Sequence, residues 1–328
     1  MALKCAILGA SGLVSQRLQQ RLFSHPDFEL VAIAGSENTI GKHLSQLEWR
    51  LEEPRSEYDL VVSSISKLPK VDVAFSALPS EIAQKTEREL VKKGIHVLSN
   101  ASSFRMLNGI PMIIPELERE DLKDYSGHAC ATNCTIVPVV LPLAGIDREM
   151  HLSQVEIHSE QALSGAGWRL LHDASINAEN LDPFIPGEEE KVISELKHLL
   201  QRPDLLAKAT CNRVFKKDGH LVHIKAKFSH PSTLEEVKRA MQLTTLELPS
   251  SPNKVVEIID AMPNREEHLF AGGTGLSRAM AVTVGNISMN NPNEVSFSAL
   301  SHNTIRGAAG GLILLAEYLL LKGHISEC

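Results

Sequence analysis

Near its start the chain runs Leu3-Lys4-Cys5-Ala6-Ile7-Leu8, then Gly9-Ala10-Ser11-Gly12-Leu13-Val14, then a segment carrying Leu18, Leu22 and Phe23. An apolar run, a glycine-rich turn and an amphipathic segment, in that order, predict a buried parallel strand, a tight turn and a helix. The glycines let the backbone approach a pyrophosphate, which then lies on the helix N-terminus. The turn is G-x-x-G, and Ser15 stands where a third glycine would complete the fingerprint. The pattern therefore takes its weight from the strand–turn–helix context, since an ordinary βα turn of small residues has the same outline.

The alternation continues. Glu29-Leu30-Val31-Ala32-Ile33-Ala34 reads as a second strand ending at Gly35-Ser36-Glu37, where a dinucleotide fold meets the adenosine ribose. Ser36, helped by Lys42, suits a 2′-phosphate; Glu37 suits a free 2′-hydroxyl and repels a phosphate, so both remain open. Val71 to Leu78, with Ser76, is a third strand, and Pro79-Ser80 opens a helix that includes Ile82 and Leu90. Ile95-His96-Val97-Leu98 follows as another strand. The charged, poorly periodic stretch from Trp49 to Pro69 carries one expected strand, near Tyr58 to Val62. Strands alternating with helices predict an α/β fold with a doubly wound parallel sheet. A chain of 328 residues exceeds one ordinary core and suggests two domains, or one large one.

The middle of the chain holds Ala131-Thr132-Asn133-Cys134-Thr135-Ile136-Val137-Pro138. The apolar run after Cys134 is a buried helix or a strand by pattern, and Pro138 and Pro142 favour a helix starting at about Thr135. Cys134 would then sit at the positive end of a helix dipole, a setting that favours the reactive thiolate. Taken alone, a free cysteine is more often a small core residue.

Other candidates gather on both sides of it. Ser99 to Met106 is polar and small around Arg105, which suits an oxyanion. Gln161 precedes the glycine-rich Ser164-Gly165-Ala166-Gly167 and offers an amide to a reacting carbonyl. Gly187-Glu188-Glu189-Glu190-Lys191 opens a helix with Val192, Leu196 and Leu199 on its apolar face; Glu188 and Lys191, three apart, are expected on one face. Arg213 and His220 flank the connection between two strand candidates, and an imidazole after glycine is a candidate general base. Strands near Val255 to Asp260, Ala279 to Val284 and Glu294 to Leu300, with a helix from Thr233 to Met241, predict a largely antiparallel second sheet. Asn303 to Gly311 is rich in small residues, and Leu312 to Leu321 is apolar nearly all round, so this last helix is expected to be buried.

The formal charge of −7 gives no reason to expect nucleic acid or a membrane surface as partner. No apolar run reaches a membrane span, and the N-terminus reads directly as a strand. Cys5, Cys130, Cys134, Cys211 and Cys328 lack metal or disulfide spacing, which predicts reduced thiols, a cytoplasmic location and no metal.

Together, Gly9-Ala10-Ser11-Gly12, Ser76-Ala77-Leu78-Pro79-Ser80, Ser99-Asn100 through Arg105-Met106, Asn133-Cys134-Thr135, Gln161 through Gly167, Glu188 through Lys191, Arg213 with Gly219-His220, and Asn303 through Ala309 make the chain similar to the aspartate-semialdehyde dehydrogenase family, most closely its archaeal and fungal-type branch. The resemblance implies a Rossmann-type domain over residues 1–133, completed by residues 304–328, and an α+β domain of glyceraldehyde-phosphate-dehydrogenase type over 134–303, which carries catalysis and dimerisation. It implies reduction of 4-phospho-L-aspartate to the semialdehyde with NADPH, NAD being the alternative cofactor, in a homodimer or homotetramer.

The same resemblance assigns Cys134 as nucleophile, His220 as base and Gln161 as the residue that positions the thioester. Arg105 and Lys191 would hold phosphate, Arg213 the substrate carboxylate and Glu188 its amino group, with Asn133 also at the substrate. Gly9, Ser11, Gly12, Leu13, Val14, Ser36, Ser76, Ser164, Gly165 and Asn303 would line the cofactor site. The chain departs from the family pattern at Ser15, at Phe215-Lys216-Lys217 after Arg213, at Asn286, and in lacking an arginine near Glu37. The rival readings are a reductase of malonyl-CoA or N-acetylglutamyl phosphate and, more distantly, an inactive cofactor-binding paralogue.

Overall fold

The computed structural model describes residues 2–117, 122 and 125–326; Cys328 lies outside them. The chain divides into two compact units, one of Met1–Thr132, Leu248–Ser250 and Ala308–Cys328, the other of Asn133–Glu247 and Ser251–Gly307.

The first unit is built on five parallel strands, β1 (Leu3–Leu8), β2 (Phe28–Ala34), β3 (Val73–Ser76), β4 (His96–Ser99) and β5 (His128–Cys130). They lie in the order β2-β1-β3-β4-β5. The chain winds outward in both directions from β1 and β3, which is where such sheets bind ligands, beyond the strands' carboxyl ends. The helices α1 (Leu13–Leu22) and α2 (Ser80–Lys92) each follow one of these two strands. Gly9 ends β1 with φ +100°, and a Cβ there would lie 3.2 Å from the Ala77 carbonyl oxygen. Left-handed backbone and close approach therefore both require glycine. Ser15 is fully buried and its hydroxyl donates to the Gly9 carbonyl, while Gln19 Nε2 donates to Ala10 O at 3.0 Å. A hydroxyl that fastens the turn explains why a third glycine is not needed.

One expectation changes here, and one strand is new. No regular strand forms over 58–62, where only isolated bridges occur, His43 with Val61 and Ala34 with Ser63. Its partner segment, 41–44, is turn and 3-10 backbone that cannot sustain a ladder. The short β5, His-Ala-Cys, has too little apolar run to announce itself.

The last helix of the chain, α8 (Gly310–Leu321), belongs to this unit. Leu312, Ile313, Leu315, Ala316 and Leu319 join Ile7, Leu18, Leu22, Phe75 and Leu98 in one core. The single charge buried in that helix, Glu317, is fully partnered. His25 Nε2 lies 2.7 Å from its Oε1, and the Ser250 backbone N–H donates to its Oε2 at 3.0 Å. Without such partners a buried carboxylate would be strongly destabilising.

The second unit holds a six-stranded sheet of β6 (Leu152–Gln161), β7 (Leu206–Arg213), β8 (His220–Phe228), β9 (Val256–Ile258), β10 (Val282–Asn291) and β11 (Glu294–Ser301). The order is β7-β6-β8-β11-β10-β9. The inner pairs are antiparallel, whereas β7 and β9 run parallel to their neighbours, so the sheet is mixed at its edges. Asn286 adopts φ +52° inside an irregularity of β10 between Gly285 and Ser288, a left-handed conformation that Asn tolerates.

Five helices belong to this unit: α3 (Val137–Met150), α4 (Trp168–Leu171), α5 (Glu188–Leu199), α6 (Leu234–Ala240) and α7 (Arg265–His268). α3 begins at Val137, not Thr135, and residues 134–136 form a turn ahead of it. Pro138 sits in its first turn, where a missing N–H costs nothing. A Cβ on Gly145 would fall 1.7 Å from Ala240 O, so α6 packs directly on the backbone of α3. Thr233 and Glu236 close a capping box that fixes where α6 starts.

Candidate active site

Strand pairing brings the candidate residues together in the second unit. Gln161 ends β6, Arg213 ends β7, and the two are register partners. His220 opens β8, one step from the Glu160–Leu221 pair, and is itself paired with Ser301 at the end of β11. Residues distant in sequence thus share one end of the sheet. Rigid strands hold them, and loops are needed only to complete the site.

Cys134 is half-buried in the turn before α3, and His220 Nε2 lies 3.2 Å from its Sγ. The Ala162 backbone N–H donates to His220 Nδ1 at 3.2 Å. In the neutral ring the proton therefore resides on Nε2, facing the sulfur. The imidazole is fully buried, and burial, reinforced by the Arg213 and Arg265 guanidiniums, pushes its pKa down to about 3. The resting ring is neutral near pH 7, and Nε2–H serves as a donor toward sulfur or an adjacent oxyanion.

Arg213 Nη1 donates to the Ala162 carbonyl at 2.8 Å, and burial lowers its pKa from the ordinary arginine value. Gly165 makes room for both side chains. A Cβ on it would lie 2.9 Å from Arg213 Nη1 and 3.0 Å from His220 Cε1. The loop that carries Gly165 rests on the Lys216 and Lys217 carbonyls, which accept from Leu163 N at 2.8 Å and Ser164 N at 3.1 Å. Backbone atoms make this support, so the change of side chains at Phe215-Lys216-Lys217 leaves it available.

Glu188 is the polar hub. Its Oε1 accepts from Asn133 Nδ2 at 2.9 Å, Gln161 Nε2 at 3.0 Å and Thr135 Oγ1 at 3.2 Å. One carboxylate oxygen thus ties both neighbours of Cys134 to the end of β6. Lys191 is exposed, and among the described residues no hydrogen bond draws it into this cluster. Asn303 Oδ1 accepts from Gly219 N and its Nδ2 donates to Ser164 Oγ, each at 2.8 Å.

Sequence reasoning missed Glu195 and Arg265, and gave Gly307, inside the Asn303–Ala309 motif, no role of its own. Glu195, buried at 2% exposure, accepts the Asn133 N–H at 2.7 Å. It follows Glu188 by seven residues, within the stripe of Val192, Leu196 and Leu199, and an acid inside an apolar stripe was the available signal. A Cβ on Gly307 would meet Cys134 Cβ at 2.6 Å. Arg265 binds the Gly219 carbonyl at 3.0 Å, and no motif distinguishes it in the sequence.

The first unit carries the remaining candidates. Gly9, Ser11, Gly12, Leu13 and Val14 form the turn after β1 and the start of α1. Ser76 ends β3, fully buried, and its hydroxyl has no hydrogen-bond partner among the described residues. The glycine cradle and this unsatisfied hydroxyl, at the switch point of the sheet, fit a dinucleotide. Ser36 and Glu37 are both exposed in the turn after β2. Arg105 is half-buried, and its Nη2 donates to Asn100 O at 3.3 Å.

The profile described as "Semialdehyde dehydrogenase, NAD binding domain" matches residues 4–125, and "Semialdehyde dehydrogenase, dimerisation domain" matches residues 143–306. An aspartate-semialdehyde dehydrogenase of Archaeoglobus fulgidus is 35% identical, over 99% of this chain and 100% of that protein. The chain belongs to the semialdehyde dehydrogenase family. Within that family it is also similar to a malonyl CoA reductase (NADP) of Metallosphaera sedula, 30% identical over 99% of both chains. The crystal structure of the Candida albicans aspartate semialdehyde dehydrogenase with NADP superposes with a TM-score of 0.83 at 27% identity, covering 99% of this chain and 100% of that one. No helix among the described residues is long and apolar enough to cross a membrane.

Proposed function

We propose that this member of the semialdehyde dehydrogenase family is an oxidoreductase that reduces 4-phospho-L-aspartate to L-aspartate 4-semialdehyde with NADPH, in aspartate-family amino-acid biosynthesis. The observation that carries the reading is the 3.2 Å approach of His220 Nε2 to Cys134 Sγ, with Arg213, at the end of β7, packed with His220 around Gly165. Full-length similarity to aspartate-semialdehyde dehydrogenases supports the substrate.

In this reading the Cys134 thiolate attacks the acyl carbon, phosphate departs with the C–O electron pair, and a thioester forms on sulfur. NADPH, when bound, supplies the hydride that takes the thioester to the aldehyde level. The C–S bond then breaks and the thiolate is regenerated. His220 Nε2–H donates to the oxygen or sulfur that bears the charge. Gln161 orients the thioester, Arg213 holds the α-carboxylate in a fork, and Glu188 with Asn133 receives the amino end. Arg105 and Lys191 serve the phosphate. Gly9, Ser11, Gly12, Leu13, Val14, Ser36, Ser76, Ser164, Gly165 and Asn303 hold the cofactor. Matching the dimerisation-domain profile supports a homodimer or homotetramer, and buried thiols suit a reducing cytoplasm.

The test is a spectrophotometric assay in the reverse direction, with aspartate semialdehyde, phosphate and NADP, compared with NAD. Production of NADPH is expected. Activity with malonyl-CoA and none with the aspartyl substrate would replace this reading with the reductase of the Metallosphaera relative.

A further inference from the structure

Arg265 opens the short helix α7 and spreads its guanidinium over two chain segments. Its Nε donates to the Gly219 carbonyl at 3.0 Å, and its Nη2 donates to the Glu160 carbonyl at 3.2 Å. Gly219 immediately precedes His220, and Glu160 immediately precedes Gln161. Nη1 and Nη2 both also reach Glu160 Oε2 at 3.4 Å, so the same carboxylate orients the fork. The guanidinium is half-buried or better, at 14% side-chain exposure.

Gly219 is held from its other side as well. Its N–H goes to Asn303 Oδ1 at 2.8 Å, and a Cβ on it would lie 2.7 Å from Leu269 Cδ1, at the end of α7. Both backbone polar groups of Gly219 are therefore fixed by side chains, and the peptide that leads into His220 is held on the Arg265 side.

We propose that Arg265 is a positioning residue for both His220 and Gln161, locking the two strand ends so that Nε2–H faces the Cys134 sulfur. A lysine can reach one carbonyl but cannot bridge two with parallel N–H bonds. Misplacement of a reacting group by about 1 Å costs up to about a hundredfold in rate. The role in turnover rests on the dehydrogenase reading above; the role in ring geometry does not.

The test uses the full chain with Arg265→Met and Arg265→Lys. Turnover is read with aspartate semialdehyde, phosphate and NADP, and the His220 ring is read by nitrogen-15 histidine NMR, with His220→Asn assigning its signals. Expected are a fall in kcat of about tenfold or more in both variants with KM for the semialdehyde within about twofold, and loss of the single Nε2-protonated ring signal that the geometry requires of the parent. If Arg265→Met does not fold, Arg265→Lys decides alone. Parental kcat in Arg265→Lys, or an unchanged ring signal in a variant with reduced kcat, would overturn the proposal. A parent protein inactive on the semialdehyde sinks the functional reading only, and the ring signal still decides the role of Arg265.

Discussion

Gly307 lies against Cys134 so closely that a methyl group on it would sit 2.6 Å from Cys134 Cβ and 2.8 Å from its Cα. The neighbours are backbone and Cβ atoms, which cannot swing aside like the end of a long side chain. Gly307→Ala should therefore displace the nucleophile, lowering stability by about 1–3 kcal/mol and kcat by about a hundredfold. Thermal melting and steady-state kinetics on the purified variant measure both. A variant with parental kcat would mean that the backbone around Cys134 yields freely.

Reactivity should single out the same sulfur. Cys5, Cys130 and Cys211 are buried, while Cys134 is half-exposed. Burial pushes the Cys211 thiol up to about 11 and raises Cys5 further. Brief treatment with iodoacetamide near pH 7.5 (about the ordinary assay range) should label Cys134 among these four and abolish activity, as read by peptide mass spectrometry. Cys134→Ser should melt like the parent and lose turnover; substantial residual activity would place the nucleophile elsewhere.

Stability should fall with acid because of His220. Its folded pKa of about 3 lies below the ordinary 6.5, so the unfolded chain takes up the proton first as pH drops below 6.5. The neutral ring's contribution is whole above that pH and is eroded progressively toward pH 3, by roughly 2 kcal/mol at pH 5. His220→Asn should flatten the pH dependence of Tm between 7 and 5, about the window in which histidines titrate. Parallel curves for parent and variant would contradict the assignment.

Substrate recognition should depend on the shape of Arg213 more than on its charge. Arg213→Lys keeps the cation but loses the fork, and should raise KM for the semialdehyde about tenfold or more with a smaller change in kcat. Unchanged KM would remove Arg213 from the carboxylate.

Much of this was legible in residue order. The run from Leu3 to Gly12 announced the parallel sheet because a strand, a glycine turn and a helix have different periods. Glu188 and His220 were visible through their types and the glycine before each, and Arg213 through its place ahead of the connection to His220. What escaped notice was what strand register creates. The Gln161–Arg213 pairing and the single Glu160–Leu221 step converge only once β6, β7 and β8 align. Arg265 carries no signal in the sequence, since the two carbonyls it ties are main-chain groups that every residue possesses. The stretch 58–62 misled in the opposite direction, because the strand expected in that poorly periodic segment has no straight partner in the fold.

The apolar face of α8 sits beside β1 and α1 in one core, although some three hundred residues separate them along the chain. During synthesis β1 must therefore wait, its inner surface uncovered, for α8 to emerge. The folding of this unit is set by the emergence of α8, and a ribosome stalled shortly before residue 310 would leave a sheet that sticks to chaperones or to other nascent chains.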